Sequence, residues 1–508
     1  MQTNSLSLSL YNPNNLTQEE LIDSFVIRKK EFEKIFKDIK NSDMKYPEQH
    51  YIIEAQTGYG KTTLLKRIYF EINRNPNLIL TLIPVILPEE QYNIRKLFKL
   101  WEAVAKHLEI ESNEFIGLYD EMDKYSVEDD YEDICFKILE QKLKEKNKKL
   151  ILLIDNIFDI LKKFKIHEQQ KLREILLTSA EIRIIGASSE VSEFTFNYDK
   201  PFYDFFKQIK LNGLTSVETN DYLKKLGEIF NEKDINKILE CNKGKIEALR
   251  RLTGGVPRTV LLLFDILIDN SGPAYKELET LLDRVTPLYI HRMDRLSPVQ
   301  QEIVDVIALS WDAINTKEIA EKTRMQSKEV SAHLNQLEKN GVIKKIPVNK
   351  KNYMYQIKER FFNIWYLMRF GGEKEKLKVQ WLVCFLESWC NREELEKSAL
   401  KHMYSLKTKG NIDALLQLSN DTDEHNKSIN EYLIFLMTKK QYNSLFKLFN
   451  QNEFKLKDKF KPTYYALMYF MKNQNEQFEI EYRKVGEELS ETVEEIIYEV
   501  NNLQDKYN

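Results

Sequence analysis

The chain has 508 residues, which is more than a single hydrophobic core usually supports, so we expect several domains of about 100 to 200 residues. Hydrophobic residues make up 42% of the sequence and charged residues 31%, with only 15 Gly and 12 Pro, and this composition excludes extensive disorder. The formal net charge of -3 excludes a polybasic coat over the whole chain, so any nucleic-acid surface must be local.

Export and membrane insertion are not expected. Residues 1–21 lack a basic segment followed by an apolar one, and no window approaches the ~20 apolar residues of a membrane span. We therefore expect a cytoplasmic protein without a membrane partner. The cysteines have no zinc-site spacing and no neighbouring His ligands, so structural thiols are expected. They are Cys135, Cys241, Cys384 and Cys390.

Residues 51–72 predict a phosphate-binding loop between a strand and a helix. A strand-like run at 51–54 leads into residues 55–63, which fit G-x-x-x-x-G-K-[ST] except that Ala55 replaces the first Gly, and a helical stretch follows at 64–72. Backbone N–H groups of such a loop and the helix N-terminus attract phosphate. The alternative is a Gly-containing turn that happens to precede Lys and Thr. The predicted nucleotide-binding residues of the loop are Gly58, Tyr59, Gly60, Lys61, Thr62 and Thr63.

An acidic residue ends a second predicted strand, at residues 148–156. The continuous apolar run indicates a buried parallel strand, which places Asp155 at the carboxyl edge of the sheet. We expect Lys61 to reach the β- and γ-phosphates, and Thr62 and Asp155 to bind Mg²⁺. Many P-loop ATPases have a Glu after this Asp as general base, but Asn156 stands here and an amide cannot accept a proton. Asp159 is either its substitute or a solvated, helix-capping residue, so slow hydrolysis or a nucleotide-gated switch is expected.

Two later segments predict residues that sense the phosphates. A strand at residues 182–187 is followed by Ser188 and Ser189, of which either is a sensor candidate or simply begins a turn. A helical segment at 216–252 then leads to residues 254–259, where two glycines end one helix and Pro257 begins another. We expect these helices to form a lid over the nucleotide site, from which Arg258 reaches the phosphates. The alternative is that Arg258 lies on the surface.

Together these motifs resemble AAA+ ATPases of the origin-recognition and archaeal-ATPase type, which are close in plan to STAND signalling NTPases. The resemblance covers roughly residues 20–370 and includes residues 25–32 ahead of the first strand. It implies that Val26 and Ile27 lie against the adenine of ATP and that Arg258 acts as the sensor-2 residue. No arginine stands out as a finger for a neighbouring site, so a ring and a monomeric switch are both compatible.

Residues 296–358 predict a winged helix-turn-helix. Ser297 and Gln300 form a capping box for a first helix, Asn315 caps a second and Ser327 caps a third, before two alternating strands join at a basic tip. Residues 315–358 contain ten Lys or Arg and four Glu, a local charge of +6. The alternative is a rigid structural spacer. The predicted DNA-binding residues are Lys328, Ser331, Asn335, Lys344, Lys345, Lys350 and Lys351.

The remainder predicts only helices. An aromatic run at 361–370 indicates a buried docking helix, and later helical pairs suggest irregular tetratricopeptide-like hairpins that either bind a protein or cover the winged helix. The acidic stretch at 487–499 is interpreted as a solvated helix face. The predicted domains are an N-terminal extension (1–24), an α/β P-loop NTPase core with a parallel sheet (25–212), a helical lid (213–295), the winged helix-turn-helix (296–370) and an all-α C-terminal region (371–508).

The leading functional hypothesis is an ATP-dependent regulator that binds ATP or ADP with Mg²⁺ and acts on double-stranded DNA or a partner through the winged helix. The second is a STAND-like signalling or defence sensor, in which the winged helix is structural, the C-terminal helices bind a protein or ligand, and ATP promotes self-association. A continuously working motor is disfavoured by Asn156.

Overall fold

The computed structural model describes residues 16–55, 57–88, 93–188, 200–269, 274–348, 352–390, 423–450 and 455–507. The chain divides into two compact units, residues 1–213 and 214–508. Helices and strands are numbered here along the described residues. None of the helices in these ranges is both long and apolar enough to cross a bilayer.

A five-stranded parallel sheet organises the first unit. Its strand order is β2-β3-β4-β1-β5, so β4 lies between the strand that precedes the phosphate loop and the strand that ends at Asp155. Because the strands are parallel, their carboxyl ends meet at one edge. The predicted α/β core with a parallel sheet is confirmed. The strands are β1 (Tyr51–Glu54), β2 (Leu82–Leu87), β3 (Lys149–Ile154), β4 (Ile182–Ser188) and β5 (Lys207–Lys210).

Helices cover both faces of this sheet. Along β1, Tyr51 and Ile53 join a core with α2 and α3, whereas Ile52 joins a second core with α4, α6 and α8. Burial on both faces explains why β2, β3 and β4 are nearly continuous apolar runs rather than alternating ones, whereas the edge strand β5 carries lysines. The helices are α1 (Gln18–Ser24), α2 (Lys29–Asn41), α3 (Lys61–Arg74), α4 (Leu97–Glu111), α5 (Leu118–Asp123), α6 (Tyr131–Glu145), α7 (Ile157–Leu161) and α8 (Ile166–Thr178).

Gly186 allows α7 to approach the middle of the sheet. A Cβ atom on this glycine would lie 2.7 Å from Cγ2 of Ile157, so a larger residue would force the short helix away from β4. Ile157 directly follows Asn156, and this contact therefore helps to position the end of β3 at the sheet edge.

His50, at the start of β1, is buried as a neutral imidazole. Its Nδ1 accepts a hydrogen bond from the Ile184 backbone at 2.9 Å, so its Nε2 donates to the Leu176 carbonyl at 3.1 Å. Desolvation lowers the pKa of His50 to about 4, with a further lowering by Arg183, while the Leu176 hydrogen bond opposes the change. The unfolded state then takes up a proton below pH ~6.5 that the folded state does not.

We expect His50 to make the protein less stable as the pH falls from about 6.5 to about 4, by up to about 3 kcal/mol. His50→Gln retains a donor and an acceptor but does not titrate, so its free energy of unfolding should fall less over this window. Urea unfolding at a series of pH values measures the two slopes. His167→Gln, at an exposed position, is the matched control, and equal slopes for His50→Gln and wild type would contradict the assignment.

The second unit is mainly helical and contains a small antiparallel sheet of order β6-β8-β7. Residues 216–252 of this unit form three helices, where a single helical segment was predicted. The described elements are α9 (Ser216–Ile229), α10 (Ile235–Cys241), α11 (Lys243–Leu252), α12 (Pro257–Asp269), α13 (Ala274–Asp294), α14 (Pro298–Ser310), β6 (Ile314–Asn315), α15 (Thr316–Thr323), α16 (Ser327–Lys339), β7 (Ile343–Pro347), β8 (Tyr353–Ile357), α17 (Arg360–Phe370), α18 (Glu373–Cys390), α19 (Asp423–Thr438), α20 (Tyr442–Phe449), α21 (Leu456–Lys459), α22 (Lys461–Met471), α23 (Glu476–Tyr482) and α24 (Glu487–Tyr507).

Helix caps largely follow the sequence in α14 to α16. Ser297 and Gln300 form the predicted capping box, and Asn315 accepts a hydrogen bond from the Glu318 backbone. The prediction that Ser327 caps the third helix is wrong: Gln326 occupies that position without a side-chain hydrogen bond, and Ser327 is already helical. Gly341 follows the end of α16 with φ +69°, and its backbone N–H donates to the Glu338 carbonyl at 2.9 Å.

Candidate nucleotide-binding site

The loop between β1 and α3 turns through two glycines. Gly58 and Gly60 have φ of +91° and +92°, a left-handed conformation that residues with a Cβ rarely adopt. The turn at Gly60 lets α3 begin at Lys61, so the first N–H groups of the helix face the loop. Tyr59 is half-buried against the α2–α3 core.

Lys61 folds back across the loop that it follows. Its Nζ donates to the Ala55 carbonyl at 2.7 Å, and the residue is only 7% exposed. This hydrogen bond joins the two ends of the loop and holds the Lys61 ammonium group beside the loop backbone. A phosphate in the loop would meet a fixed positive charge there, as the sequence predicts for Lys61.

Thr62 meets the acid at the end of β3. Its Oγ1 donates to Oδ2 of Asp155 at 2.5 Å, and Asp155 is 4% exposed. A hydroxyl and a carboxylate are hard oxygen ligands of the kind that Mg²⁺ prefers, and the two come from opposite sides of the loop. The residues present therefore fit a magnesium ion, which Thr62 and Asp155 would hold and which would supply positive charge beside the phosphates. Thr63, the next loop residue, is half-buried at the start of α3.

Asn156 and Asp159 occupy different surroundings. Asn156 is buried with φ +48° and its backbone N–H donates to Oδ1 of Asp155 at 3.1 Å, which fixes the Asp155 carboxylate. Asp159 lies one turn along α7 with a side chain that is 60% exposed and 3.7 Å from Lys162. The structure therefore places the acid that was the candidate substitute base on the surface of α7.

Ser188 is the last residue of β4 and is 3% exposed. Its carbonyl accepts from the Ala55 backbone at 3.1 Å, which ties the candidate sensor strand to the first loop residue. Ser189, the other sensor candidate, lies outside the described residues.

An arginine ahead of the core holds the loop, and the sequence motifs did not single it out. Arg28 is 4% exposed and adopts a left-handed conformation, with φ +63°, at the start of α2. Its Nε donates to the Tyr59 carbonyl at 3.2 Å and its Nη2 donates to the Asn212 carbonyl at 2.5 Å. Val26 and Ile27, the predicted adenine contacts, precede it and remain partly exposed. In the sequence Arg28 begins a basic run with Lys29 and Lys30, which gave no sign of burial.

Replacing Arg28 with Lys should weaken ATP binding by about tenfold, or 1.4 kcal/mol. A single ammonium cannot hold two carbonyls in the geometry of a guanidinium, so the Tyr59 segment of the loop loses its donor. Equilibrium titration with a fluorescent ATP analogue measures the change. Lys29→Ala, at the neighbouring exposed position, is the control, and an unchanged affinity in Arg28→Lys would contradict the role assigned to Arg28.

The strand order, the glycine turn and the Thr62–Asp155 pair together define a P-loop nucleoside triphosphatase fold. No protein-family model matches the chain, and no curated protein matches it. Among solved structures, the chain is similar to the proteins ORC1, ORC2 and RuvB.

Three of these structures illustrate the likeness. The Aeropyrum pernix ORC1 protein in complex with DNA is 13% identical, with a TM-score of 0.41, over 71% of this chain and 96% of that chain. The Aeropyrum pernix ORC2 protein, in ADPNP-ADP complexes, is 13% identical, with a TM-score of 0.38, over 68% and 95%. A Thermotoga maritima RuvB mutant is 12% identical, with a TM-score of 0.31, over 67% and 92%. At these identities the likeness concerns the fold alone.

The predicted lid motif in the second unit forms a tight helix junction. Gly254 and Gly255 both have positive φ, and their N–H groups donate to the Arg251 and Arg250 carbonyls at 3.1 and 2.9 Å, which ends α11. Pro257 begins α12, as predicted, and Arg258 is its second residue and is half-buried. The role of Arg258 as a phosphate sensor stays a prediction.

The acidic C-terminal helix α24 packs on α11, the helix that ends at this glycine junction and is called the lid helix below. Arg251 donates from Nη1 to the Thr492 hydroxyl at 2.5 Å and from Nη2 to Oε1 of Glu495 at 2.8 Å, while Arg250 forms an ion pair with Glu491. Thr492 is fully buried. The interpretation of residues 487–499 as a solvated face is therefore only partly right: Glu487 and Glu494 are exposed, but Glu491 and Glu495 pair with arginines whose positions the sequence spacing does not reveal.

Arg251→Met should lower the free energy of unfolding by about 2 kcal/mol, since it removes charged hydrogen bonds to a buried hydroxyl and to Glu495. Urea unfolding measures the loss. Arg483→Met removes an arginine whose ion pair with Glu479 is exposed, and should change the value by less than about 1 kcal/mol. Equal losses in the two variants would show that the arginine pairs with α24 are not structurally important.

Most of the predicted DNA-binding side chains on α16 face outward. Lys328 and Asn335 are exposed, whereas Val330, Leu334 and Leu337 on the opposite side are buried. Ser331 is half-buried, and its hydroxyl donates to the Ser327 carbonyl at 2.7 Å.

The lysines of the hairpin differ from one another. Lys344 is exposed on β7. Lys345 is half-buried, with Nζ 4.1 Å from the centre of the Tyr353 ring and 3.9 Å from a Glu338 oxygen. Lys350 and Lys351 lie outside the described residues. The structure thus brings Lys328, Asn335 and Lys344 to exposed positions.

Proposed function

We propose that this chain is an ATP-binding switch protein with slow hydrolysis, which acts on DNA through a winged helix. The observation that carries the ATP site is the hydrogen bond between Thr62 and Asp155, which places an Mg²⁺-type ligand pair beside a glycine turn and a buried Lys61. The N-terminus of α3 and the Lys61 ammonium attract the phosphates, and a bound Mg²⁺ would neutralise their charge. When ATP binds, the Lys61 ammonium group would donate to a phosphate oxygen instead of to the Ala55 carbonyl.

The proposal that residues 296–370 form a winged helix rests on the order and pairing of their elements. A helix, a short strand, two helices and a two-stranded hairpin follow one another, and β8 lies between β6 and β7 in the sheet. The second helix of the pair, α16, keeps one face exposed. That face carries Lys328 and Asn335, a cation and an amide suited to phosphate and base-edge contacts.

Packing within the second unit supports a switch in which the lid and the winged helix respond together. Arg251 on the lid helix and Arg360 on α17 both bind α24: Arg360 donates from Nε to Oε1 of Glu488 at 3.0 Å, and both residues are buried. Arg258 lies three residues beyond the glycine turn that ends the lid helix. A change in its position would therefore shift α24, which also contacts the predicted winged helix.

A STAND-like sensor remains the second candidate, and one observation favours it. Helix α17 is buried along residues 360–367, and Lys461 from the C-terminal helices pairs with Asp312 beside β6. The predicted winged helix is thus built into the C-terminal helices, as a structural spacer would be. In that case the C-terminal helices bind the ligand or protein partner, and ATP promotes self-association.

Binding of the purified protein to labelled duplex DNA tests the leading proposal. The measurement covers a salt series with ADP, ATP and a non-hydrolysable ATP analogue. We expect nucleotide-dependent binding that weakens with salt and loses its nucleotide dependence in Lys61→Ala. The double variant Lys328→Ala and Lys344→Ala should weaken binding and lower the salt slope, because each lysine contributes about one phosphate contact.

Lys374→Ala, at an exposed position on α18, is the matched charge control and should bind DNA like wild type. No DNA binding in any nucleotide state would overturn the DNA-directed switch. ATP-dependent self-association without DNA binding would establish the sensor instead.

A further inference from the structure

A buried acid lies at the carboxyl edge of the sheet. Glu54 is the last residue of β1, directly before the phosphate loop, and is 5% exposed. Neither carboxylate oxygen has a hydrogen-bond partner among the described residues. A carboxylate in such surroundings is costly to the folded state.

Strand register places Glu54 beside the other residues that end the central strands. Glu54 pairs with Ser188 of β4 on one side and Lys210 of β5 on the other. On β3, the last pair is Ile154 with Gly186, so β3 ends beside β4 two residues before Ser188. Because neighbouring strands lie about 5 Å apart, Glu54 on β1 is about 10 Å across the sheet from β3, with β4 and its Ser188 between them.

Side-chain alternation puts Glu54 on the same sheet face as Ile52, and Ser188 on the same face as Gly186. Asp155 falls on the other face, toward α3, where it meets Thr62. One face thus holds the pair that fits a metal ion, and the other holds a carboxylate that has no hydrogen-bond partner among the described residues.

Hydrolysis needs a proton acceptor near the γ-phosphate, and neither the predicted magnesium ligands nor the residues that follow β3 supply one. Asn156 cannot accept a proton, Asp155 is hydrogen-bonded to Thr62, and Asp159 is exposed on α7. Among the described residues that end the strands, Glu54 is the remaining acid.

We propose, on the basis of the ATP site proposed above, that Glu54 is the general base of a slow ATP hydrolysis. Water attacks the γ-phosphorus, a new O–P bond forms and the bond to the β–γ bridging oxygen breaks. The water proton passes to the Glu54 carboxylate, and ADP and inorganic phosphate are the products. Desolvation raises the pKa of Glu54 above its usual value, with Lys210 opposing the shift, which makes the carboxylate a stronger base than an exposed one.

The test compares ATP binding and single-turnover hydrolysis in the full chain. Glu54→Gln keeps the size of the side chain but cannot accept the proton. We expect it to bind ATP like wild type and to hydrolyse it at least 100-fold more slowly, the lower range for loss of a general base. Glu174→Gln removes an exposed carboxylate on α8 and is the control, with hydrolysis expected at the wild-type rate.

The possible outcomes are distinct. Hydrolysis at the wild-type rate in Glu54→Gln overturns the proposal, and so does a wild-type protein that binds ATP without hydrolysing it. Loss of ATP binding in Glu54→Gln makes Glu54 a structural residue and also overturns it. A loss of hydrolysis confined to Asp159→Asn would assign the base to α7. The proposed function itself fails separately, if wild type does not bind ATP or if Lys61→Ala binds it equally well.

Discussion

The hydrogen bond between Thr62 and Asp155 joins residues that are 93 positions apart, and the nucleotide site depends on it. It exists because β1 and β3 run parallel and end at the same edge, with β4 between them. Gly186 keeps α7 close to β4, and Arg28 holds the Tyr59 carbonyl from the outside. The loop is therefore held by backbone contacts on several sides before any phosphate arrives, which lowers the ordering cost of binding.

The same edge explains why binding and hydrolysis can be separated in this protein. Groups that fit phosphate and magnesium lie on the α3 side, where Lys61 and Asp155 are already held by hydrogen bonds. The position that often holds a catalytic acid carries Asn156, whose backbone instead orients Asp155. A site built in this way suits the proposed switch, whose state would depend on which nucleotide is present.

In the second unit, long-range charge pairs rather than apolar contacts alone join the parts. Arg251 and Arg360 reach the acidic residues of α24 from two different helices, and Thr492 between those acids is fully buried. Buried charges of this kind are expensive unless each has its partner, so the arrangement favours one relative position of the lid helix and α17. A fixed relative position of these helices is what the proposed switch requires.

The sequence by itself determined the local features: the strand, loop and helix around Lys61, the apolar run ending at Asp155, and the capping box at Ser297. Each is set by neighbouring residues through propensity, periodicity or capping, and each appears in the structure. Only the tertiary structure decided the roles of Arg28, Glu54 and Glu495. The hydrogen-bond partners of Arg28 and Glu495 come from segments far away in the chain. Glu54 is likewise buried by distant segments, and it has no hydrogen-bond partner among the described residues. A charged residue looks solvated in a sequence until the fold brings another element over it.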